Sequence, residues 1–105
     1  MLCRLLTAFA CIAFASNSVA EIEFACFMRL EAGKSVDLHK HSRQHLIFHM
    51  LMNDLDEQGC ELTCANDKKT LLHKGDTLLF DYSLPHSSFN SSNCDRINLV
   101  IDFKL

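Results

Sequence analysis

The sequence predicts an all-β domain, an antiparallel sandwich or barrel, and three observations point to this class. Apolar and polar residues alternate in several short runs, which is the pattern of half-buried strands. Residues typical of turns, above all Gly, Asn and Asp, separate these runs at short intervals. Helical periodicity is nearly absent beyond residue 20, so the crossover helices that a parallel sheet needs are missing.

Five or more strands are predicted along the chain. The first begins at residue 22 and carries its apolar side chains on one side, namely those of Ile22, Phe24, Cys26, Met28 and Leu30. The other runs cover residues 45–52, 60–66, 77–82 and 96–103. Breaks are predicted at Gly33 and over residues 53–59, 65–69, 73–76 and 90–95. Short strands with turns at this spacing are typical of a sandwich or barrel.

The first twenty residues are predicted to be a cleavable secretory signal peptide. Arg4 gives a positive start, residues 5–15 are apolar, and Ser18 and Ala20 offer small side chains to signal peptidase. The apolar run is too short to span a bilayer, although a retained membrane anchor is the alternative. The folded domain is therefore assigned to residues 21–105. It is expected in the secretory pathway (ER lumen, periplasm or outside the cell), with no membrane association after cleavage.

Composition restricts the partners. The formal net charge is −3 with neutral histidines, and the absence of a strongly basic balance argues against nucleic acid. A domain of this length has a thin core, and exposed edge strands make a homodimer plausible.

The cysteine count predicts disulfides. Four of the six cysteines follow residue 20, and in an oxidising compartment they are expected to form one or two disulfides. Cys60 and Cys64 are not expected to pair with each other if they share one extended strand. Four residues of strand span about 13 Å, whereas bridged Cα atoms lie at most about 7 Å apart.

The histidines are concentrated in two regions that are distant in sequence. His39 and His41 share one strand face, His45 and His49 share another, and His86 follows a proline far along the chain. In an all-β domain such groups can converge on one metal, because neutral imidazole suits iron, zinc, copper and nickel. The alternative is that they are ordinary solvated strand residues.

Two motifs in the chain resemble those of the cupin double-stranded β-helix, a jelly-roll barrel. Gly33 precedes His39 and His41, and Gly75 precedes His86. In cupins, histidines in these motifs bind one metal inside the barrel. The resemblance therefore implies a short cupin-like barrel with a metal site.

The second half of the chain resembles the aspartyl/asparaginyl β-hydroxylase family more specifically, and that family shares the same barrel fold. The family pattern is matched, in order, by Cys60, Cys64, Ala65, Asn66, Lys69, Thr70, Phe80, Asp81, Ser83, His86, Arg96 and Asp102. The resemblance covers about residues 33–103. It implies an Fe(II)- and 2-oxoglutarate-dependent oxygenase in which His39 and His86 bind iron and Arg96 binds a carboxylate of 2-oxoglutarate.

The implied role of Arg96 agrees with its chemistry, because the planar guanidinium is permanently charged and can bind a carboxylate through two hydrogen bonds. Without the resemblance, Arg96 would be interpreted as an exposed strand arginine. The reason is that residues 97, 99, 101 and 103 form an apolar face on the opposite side of the strand.

His41 is a departure from the family pattern, which has a glycine at this position and lacks the usual carboxylate ligand. This histidine could be a third nitrogen ligand, as in cupins, or it could face water. Because the second half follows the hydroxylase pattern closely, we expect His39 and His86 to be sufficient for iron binding.

A second 2-oxoglutarate contact is expected from a histidine after His39. The family has an Arg-x-His-Leu segment, and Arg43 with His45 repeats it, but too soon after His39. His49 has the better spacing, although Ile47 then replaces the arginine. Both His45 and His49 are kept as candidates, with a preference for His49.

Three functions follow from these observations. The first is a secreted dioxygenase that hydroxylates Asp or Asn side chains of a protein or peptide substrate. The second is a small secreted cupin that uses three or four of the histidines for another oxidation or isomerisation. The third is a non-catalytic relative, because the matching domain is shorter at both ends than the family domains and is expected to be truncated.

Overall fold

The computed structural model describes residues 21–104, and over this range the chain forms eight strands and no helix. The strands are β1 (Glu21–Leu30), β2 (Ser35–His39), β3 (His45–Leu51), β4 (Cys60–Cys64), β5 (Asp67–Leu71), β6 (Thr77–Asp81), β7 (His86–Asn90) and β8 (Arg96–Lys104). The predicted signal peptide lies outside the described residues. No helix in residues 21–104 is long and apolar enough to cross a membrane.

The strands form two four-stranded sheets, both entirely antiparallel. One sheet has the order β1-β8-β3-β6 and the other β2-β7-β4-β5. Neighbours such as β1 and β8, or β2 and β7, are far apart in sequence, which is the long-range pairing of a double-stranded β-helix. The predicted all-β barrel is therefore confirmed.

A hydrophobic core lies between the two sheets. Its buried members are Ile47, Leu51, Leu62, Cys64, Leu71, Leu78, Phe80, Tyr82 and Val100, which come from both sheets. Alternation of side chains along each strand places these residues on the inward face. On β3, for example, Ile47 and Leu51 point into this core, and His45 and His49 lie on the same face of the strand.

Three strands were missing from the sequence prediction: β2, β5 and β7. Residues 65–69 were predicted as a break, but the turn ends at Asn66 and β5 begins at Asp67. Ala65 has a positive φ of 52° in this tight turn. All three strands are rich in polar residues, so their alternation is not visible as hydrophobic periodicity, and they are held by pairing with β4 and with each other.

The orientation of β8 differs from the simplest interpretation of its sequence. Arg96, Asn98 and Asp102 are buried and share the inward face with Val100, whereas Ile97, Leu99 and Ile101 are half-buried on the outward face. The more polar face of this strand therefore points into the barrel. Polar residues are tolerated there because they line a cavity and bind one another.

No disulfide joins two of the four later cysteines, since Cys26, Cys60 and Cys94 are free thiols, whereas Cys64 is disulfide-bonded. Cys60 and Cys64 occupy the two ends of β4, as the sequence predicted, and do not pair with each other. The Cys60 thiol is instead buried beside the side chains of Ser88 and Arg96.

Candidate functional site

Three histidines meet in the barrel. His39 ends β2 and His86 begins β7, and the antiparallel register places these two residues directly opposite each other. His41 follows two residues after β2. One ring nitrogen from each of the three can be chosen so that all lie within 4.8 Å of one another, which is close enough for one metal ion. The His39 and His86 ring centroids are 4.3 Å apart.

Backbone carbonyls fix the orientation of two of these rings. The Nδ1 atom of His39 is 2.7 Å from the carbonyl oxygen of Asp37, and that of His86 is 2.7 Å from the carbonyl oxygen of Leu84. Donation from Nδ1 to a carbonyl leaves Nε2 with its lone pair available, which is the arrangement of metal-binding histidines. Both rings are therefore prepared as Nε2 ligands.

The turn before His86 is held by Asp81 and Ser83, two of the residues that match the family pattern. The Asp81 carboxylate accepts hydrogen bonds from the backbone N–H and the hydroxyl of Ser83, at 2.9 and 2.6 Å. The Pro85 carbonyl accepts from the N–H of Ala65 in the β4–β5 turn, at 2.8 Å. These residues position His86 and do not contact the cavity through their polar groups, so their part in the motif is structural.

The site favours neutral imidazole. Burial lowers the pKa of His86, and the neighbouring His39 and His41 lower it further, despite the opposing effect of the hydrogen bond with Leu84. Burial and then His39 also lower the pKa of His41. Because only the neutral ring binds a metal, these shifts extend metal binding towards lower pH.

A cavity of about 480 Å³ connects the three histidines with a buried cation. Arg96 lines this cavity and is only 4% exposed. Its Nη1 donates to the Ser88 hydroxyl at 2.9 Å and lies 3.6 Å from the Cys60 sulfur, while its Nε has no partner. No carboxylate within residues 21–104 forms an ion pair with it.

An unpaired buried charge is costly, so this arrangement calls for an anion from outside the protein. A carboxylate can bind the fork of a guanidinium directly. The hydroxyl of Ser88 and the free N–H of Arg96 add polar groups of the kind that orient a small ligand. The cavity therefore combines a site for a metal with a site for a carboxylate.

His49 lines the same cavity and is a neutral hydrogen-bond donor in it. Burial, together with Arg96 and His86, lowers the pKa of His49 to about 3. Its Nδ1 accepts a hydrogen bond from the Asn98 side-chain amide at 2.8 Å, which leaves the proton on Nε2. The structure thus places His49 and Arg96, but not His45, on the cavity wall.

His45 lies in a separate buried polar cluster. Its Nδ1 is 2.6 Å from a carboxylate oxygen of Asp102, and the Tyr82 hydroxyl donates to the other oxygen of that carboxylate at 3.3 Å. This cluster adjoins the metal-site histidines, because the Tyr82 ring lies against His41.

Sequence reasoning did not identify Ser88, Asn98 or Tyr82 as site residues. Ser88 faces Val36 across the β2–β7 pair, and Asn98 lies two residues after Arg96, on the same face of β8. Alternation from His86 and from Arg96 was the available signal for these two residues. Tyr82 had no such signal, because its role depends on a contact with a loop residue.

Comparisons with known proteins support this picture. The family model described as aspartyl/asparaginyl beta-hydroxylase matches residues 1–105. No curated protein matches the chain.

Solved structures show the same fold at low sequence identity. A predicted oxalate decarboxylase from Thermotoga maritima is 19% identical with a TM-score of 0.65, over 98% of this chain and 79% of that one. The cupin domain of Cnp3 from Schizosaccharomyces pombe is 11% identical with a TM-score of 0.65, over 82% and 64%. A cupin 2 conserved barrel domain protein from Salinispora arenicola is 13% identical with a TM-score of 0.58, over 79% and 72%.

Proposed function

The chain belongs to the aspartyl/asparaginyl β-hydroxylase family, and on this basis we propose that it is an Fe(II)- and 2-oxoglutarate-dependent dioxygenase that hydroxylates Asp or Asn side chains of a protein or peptide. One observation carries the proposal: the buried, unpaired Arg96 and the three-histidine cluster line the same cavity.

The histidine cluster fits iron by the chemistry of its donors. Neutral imidazole is a good ligand for Fe(II), and His39 and His86 each have Nε2 available. Three protein ligands leave coordination positions open for small molecules. A bound iron would supply the oxidation chemistry, and the protein would supply binding and orientation.

The other end of the cavity fits the second carboxylate of 2-oxoglutarate. Arg96 offers a permanent charge with an unused N–H, and neutral His49 offers its Nε2–H. Neither group can be satisfied by an acidic side chain of residues 21–104, since none pairs with them. A small dicarboxylate with one end at Arg96 and the other at the histidines would use both.

The proposed reaction consumes O₂ and 2-oxoglutarate and gives succinate and CO₂. One oxygen atom enters the new carboxylate of succinate. The other is inserted into a C–H bond of the substrate, which becomes a C–OH group. Oxidative decarboxylation of 2-oxoglutarate supplies two electrons and substrate hydroxylation the other two, so the four-electron reduction of O₂ is balanced.

A second function is favoured by the position of His41. The hydroxylase pattern has a glycine there, whereas His41 lies in the metal cluster of this chain. Three histidine ligands are typical of cupins, so the alternative is a cupin that performs another oxidation or an isomerisation at the same metal. This alternative does not explain the unpaired Arg96, and for that reason it is placed second.

The test is formation of succinate by purified protein with Fe(II), ascorbate, 2-oxoglutarate and an aspartyl or asparaginyl peptide. We expect succinate only when Fe(II) and 2-oxoglutarate are both present, and we expect Arg96→Met to abolish it. Arg29→Met is the matched control, because Arg29 is an exposed arginine that lies outside the cavity. Tight metal binding with no response to 2-oxoglutarate would overturn the proposal in favour of the cupin alternative.

A further inference from the structure

His41 differs from the other two histidines in how its ring is held. His39 and His86 are each oriented by a carbonyl 2.7 Å from Nδ1, but the His41 ring has no hydrogen bond to any residue in the range 21–104. His41 is exposed and lies in the loop between β2 and β3. An exposed imidazole on a loop samples several rotamers, so another contact is needed to hold it beside the other two rings.

That contact is the ring of Tyr82. The two rings are stacked, with centroids 4.3 Å apart and an angle of 29° between their planes. The backbone N–H of His41 also donates to the Tyr82 carbonyl at 3.2 Å, which brings the loop to the end of β6. Stacking therefore orients the His41 ring, as hydrogen bonds to carbonyl oxygens orient the rings of His39 and His86.

Tyr82 is itself held by buried hydrogen bonds. Its hydroxyl donates to Asp102 at 3.3 Å, Asp102 is bound to His45 at 2.6 Å, and all three side chains are buried. The Tyr82 N–H also donates to the His45 carbonyl at 3.2 Å. A ring anchored in this way can serve as a rigid surface for a mobile neighbour.

We propose that Tyr82 is a positioning residue that holds His41 in the metal-binding arrangement by ring stacking, with Asp102 and His45 as its buried anchor. The inference rests on the proposed metal site. It assigns a role to His45, Tyr82 and Asp102, which the proposed dioxygenase reaction does not otherwise use.

The experiment measures Co(II) binding to the purified protein by titration of its visible absorption, with Co(II) as the probe for the iron site. Tyr82→Leu removes the stacked ring and retains an apolar side chain. We expect it to weaken Co(II) binding about tenfold, the lower end of the effect of losing an outer contact to a metal ligand. Tyr82→Phe keeps the ring but loses the hydroxyl bond to Asp102, so it is expected to weaken Co(II) binding by less than tenfold.

The decisive comparison repeats Tyr82→Leu in a chain that also carries His41→Gly. If Tyr82 acts through His41, Tyr82→Leu should add no further weakening to a chain that lacks the His41 ring, because contacting residues are not additive. Thermal unfolding of each variant without metal shows whether it is folded, and the Tyr82→Phe comparison does not depend on the leucine variant.

Three results would overturn the inference. Tyr82→Leu could bind Co(II) as tightly as the parent, it could weaken binding equally in the His41→Gly background, or Tyr82→Phe could be as weak as a chain without the ring. Failure of the parent chain to bind Co(II) is a different result, since it would remove the metal site and the proposed function with it.

Discussion

Arg96 is a buried cation that has no acidic partner in residues 21–104. Its replacement should therefore change ligand affinity without reducing the stability of the fold. Arg96→Met keeps most of the length of the side chain and removes the charge. We expect 2-oxoglutarate binding to lose about 2 kcal/mol or more, which is the cost of a charge-assisted hydrogen bond, with metal affinity nearly unchanged. Calorimetric titrations of both ligands check this.

The same substitution should not destabilise the protein when 2-oxoglutarate is absent. A buried charge without a partner opposes folding, so the thermal midpoint of Arg96→Met is expected to equal or exceed that of the parent. If the variant melts well below the parent and loses both ligands together, Arg96 has a structural role.

The lowered pKa of His49 should make the free energy of unfolding depend on pH. Its pKa falls from 6.5 to about 3 on folding, so between these values the unfolded chain binds a proton that the folded protein does not. The contribution of His49 is fully present above pH 6.5 and is lost as the pH falls towards 3. Denaturant unfolding of metal-free protein at pH 7 and pH 5 should show lower stability at pH 5.

The lowered pKa values of His41 and His86 act in the same direction. His49→Gln should therefore reduce the difference in stability between pH 7 and pH 5 without abolishing it. The control is His73→Gln, which replaces an exposed histidine in a turn. An unchanged difference in His49→Gln would show that His49 is not buried in its neutral form.

At the scale of elements, Gly59 fixes the entry to β4. It has a φ of +66°, and a Cβ built there would lie 2.7 Å from the side chains of Thr70 and Leu72 and 2.8 Å from the Leu71 carbonyl oxygen. Gly33 is a matched control, because it has a φ of +74° but an added Cβ would contact nothing. An alanine at either position would adopt the same left-handed backbone, but only at position 59 would its Cβ clash with neighbours.

We expect Gly33→Ala to cost about 1 kcal/mol from the left-handed backbone alone. Gly59→Ala should cost that amount plus about 1–3 kcal/mol for overpacking against β5. Denaturant unfolding of both variants measures the difference. Equal losses would mean that the approach of β5 to Gly59 is looser than the structure shows.

Alternation along the strands was enough to predict some of the site. The sequence placed His45 and His49 on one face of β3, and both are inward. Alternation alone did not predict that the more polar face of β8 is the inward one, because the other face carries more apolar residues. Only the family resemblance placed Arg96 inside.

The sequon at Asn90 shows the same limit. Three residues, Asn90, Ser91 and Ser92, form the pattern of an N-glycosylation acceptor. The Asn90 side chain is 0% exposed, and its amide donates to the carbonyls of Leu30 and Cys94. Its role in the folded protein is to bind the end of β1 to the loop before β8, which no local pattern could indicate.

At the scale of the whole molecule, sheet topology determines the site. Pairing of β2 with β7 and of β8 with β3 brings together residues that are about half the chain apart. The histidine motifs and the Arg96 position could be predicted from the sequence because they resemble a family pattern. The sequence left open whether His41 is a third ligand or faces water, because its position depends on the path of the β2–β3 loop against Tyr82.

Association of two chains stays a prediction. Strands β1 and β2 are edge strands, and several large apolar side chains near them are exposed, among them Phe27 and Leu38. Exposed edges of this kind favour pairing with another chain.

The central claim is that one cavity binds a metal at its histidines and a dicarboxylate at Arg96. Calorimetric titration of 2-oxoglutarate into the protein, with and without bound Fe(II) under anaerobic conditions, tests it most directly. We predict measurable binding in both cases and clearly tighter binding with the metal, because one ligand then contacts both parts of the cavity. Equal affinity in the two titrations, or no binding in either, would contradict the claim.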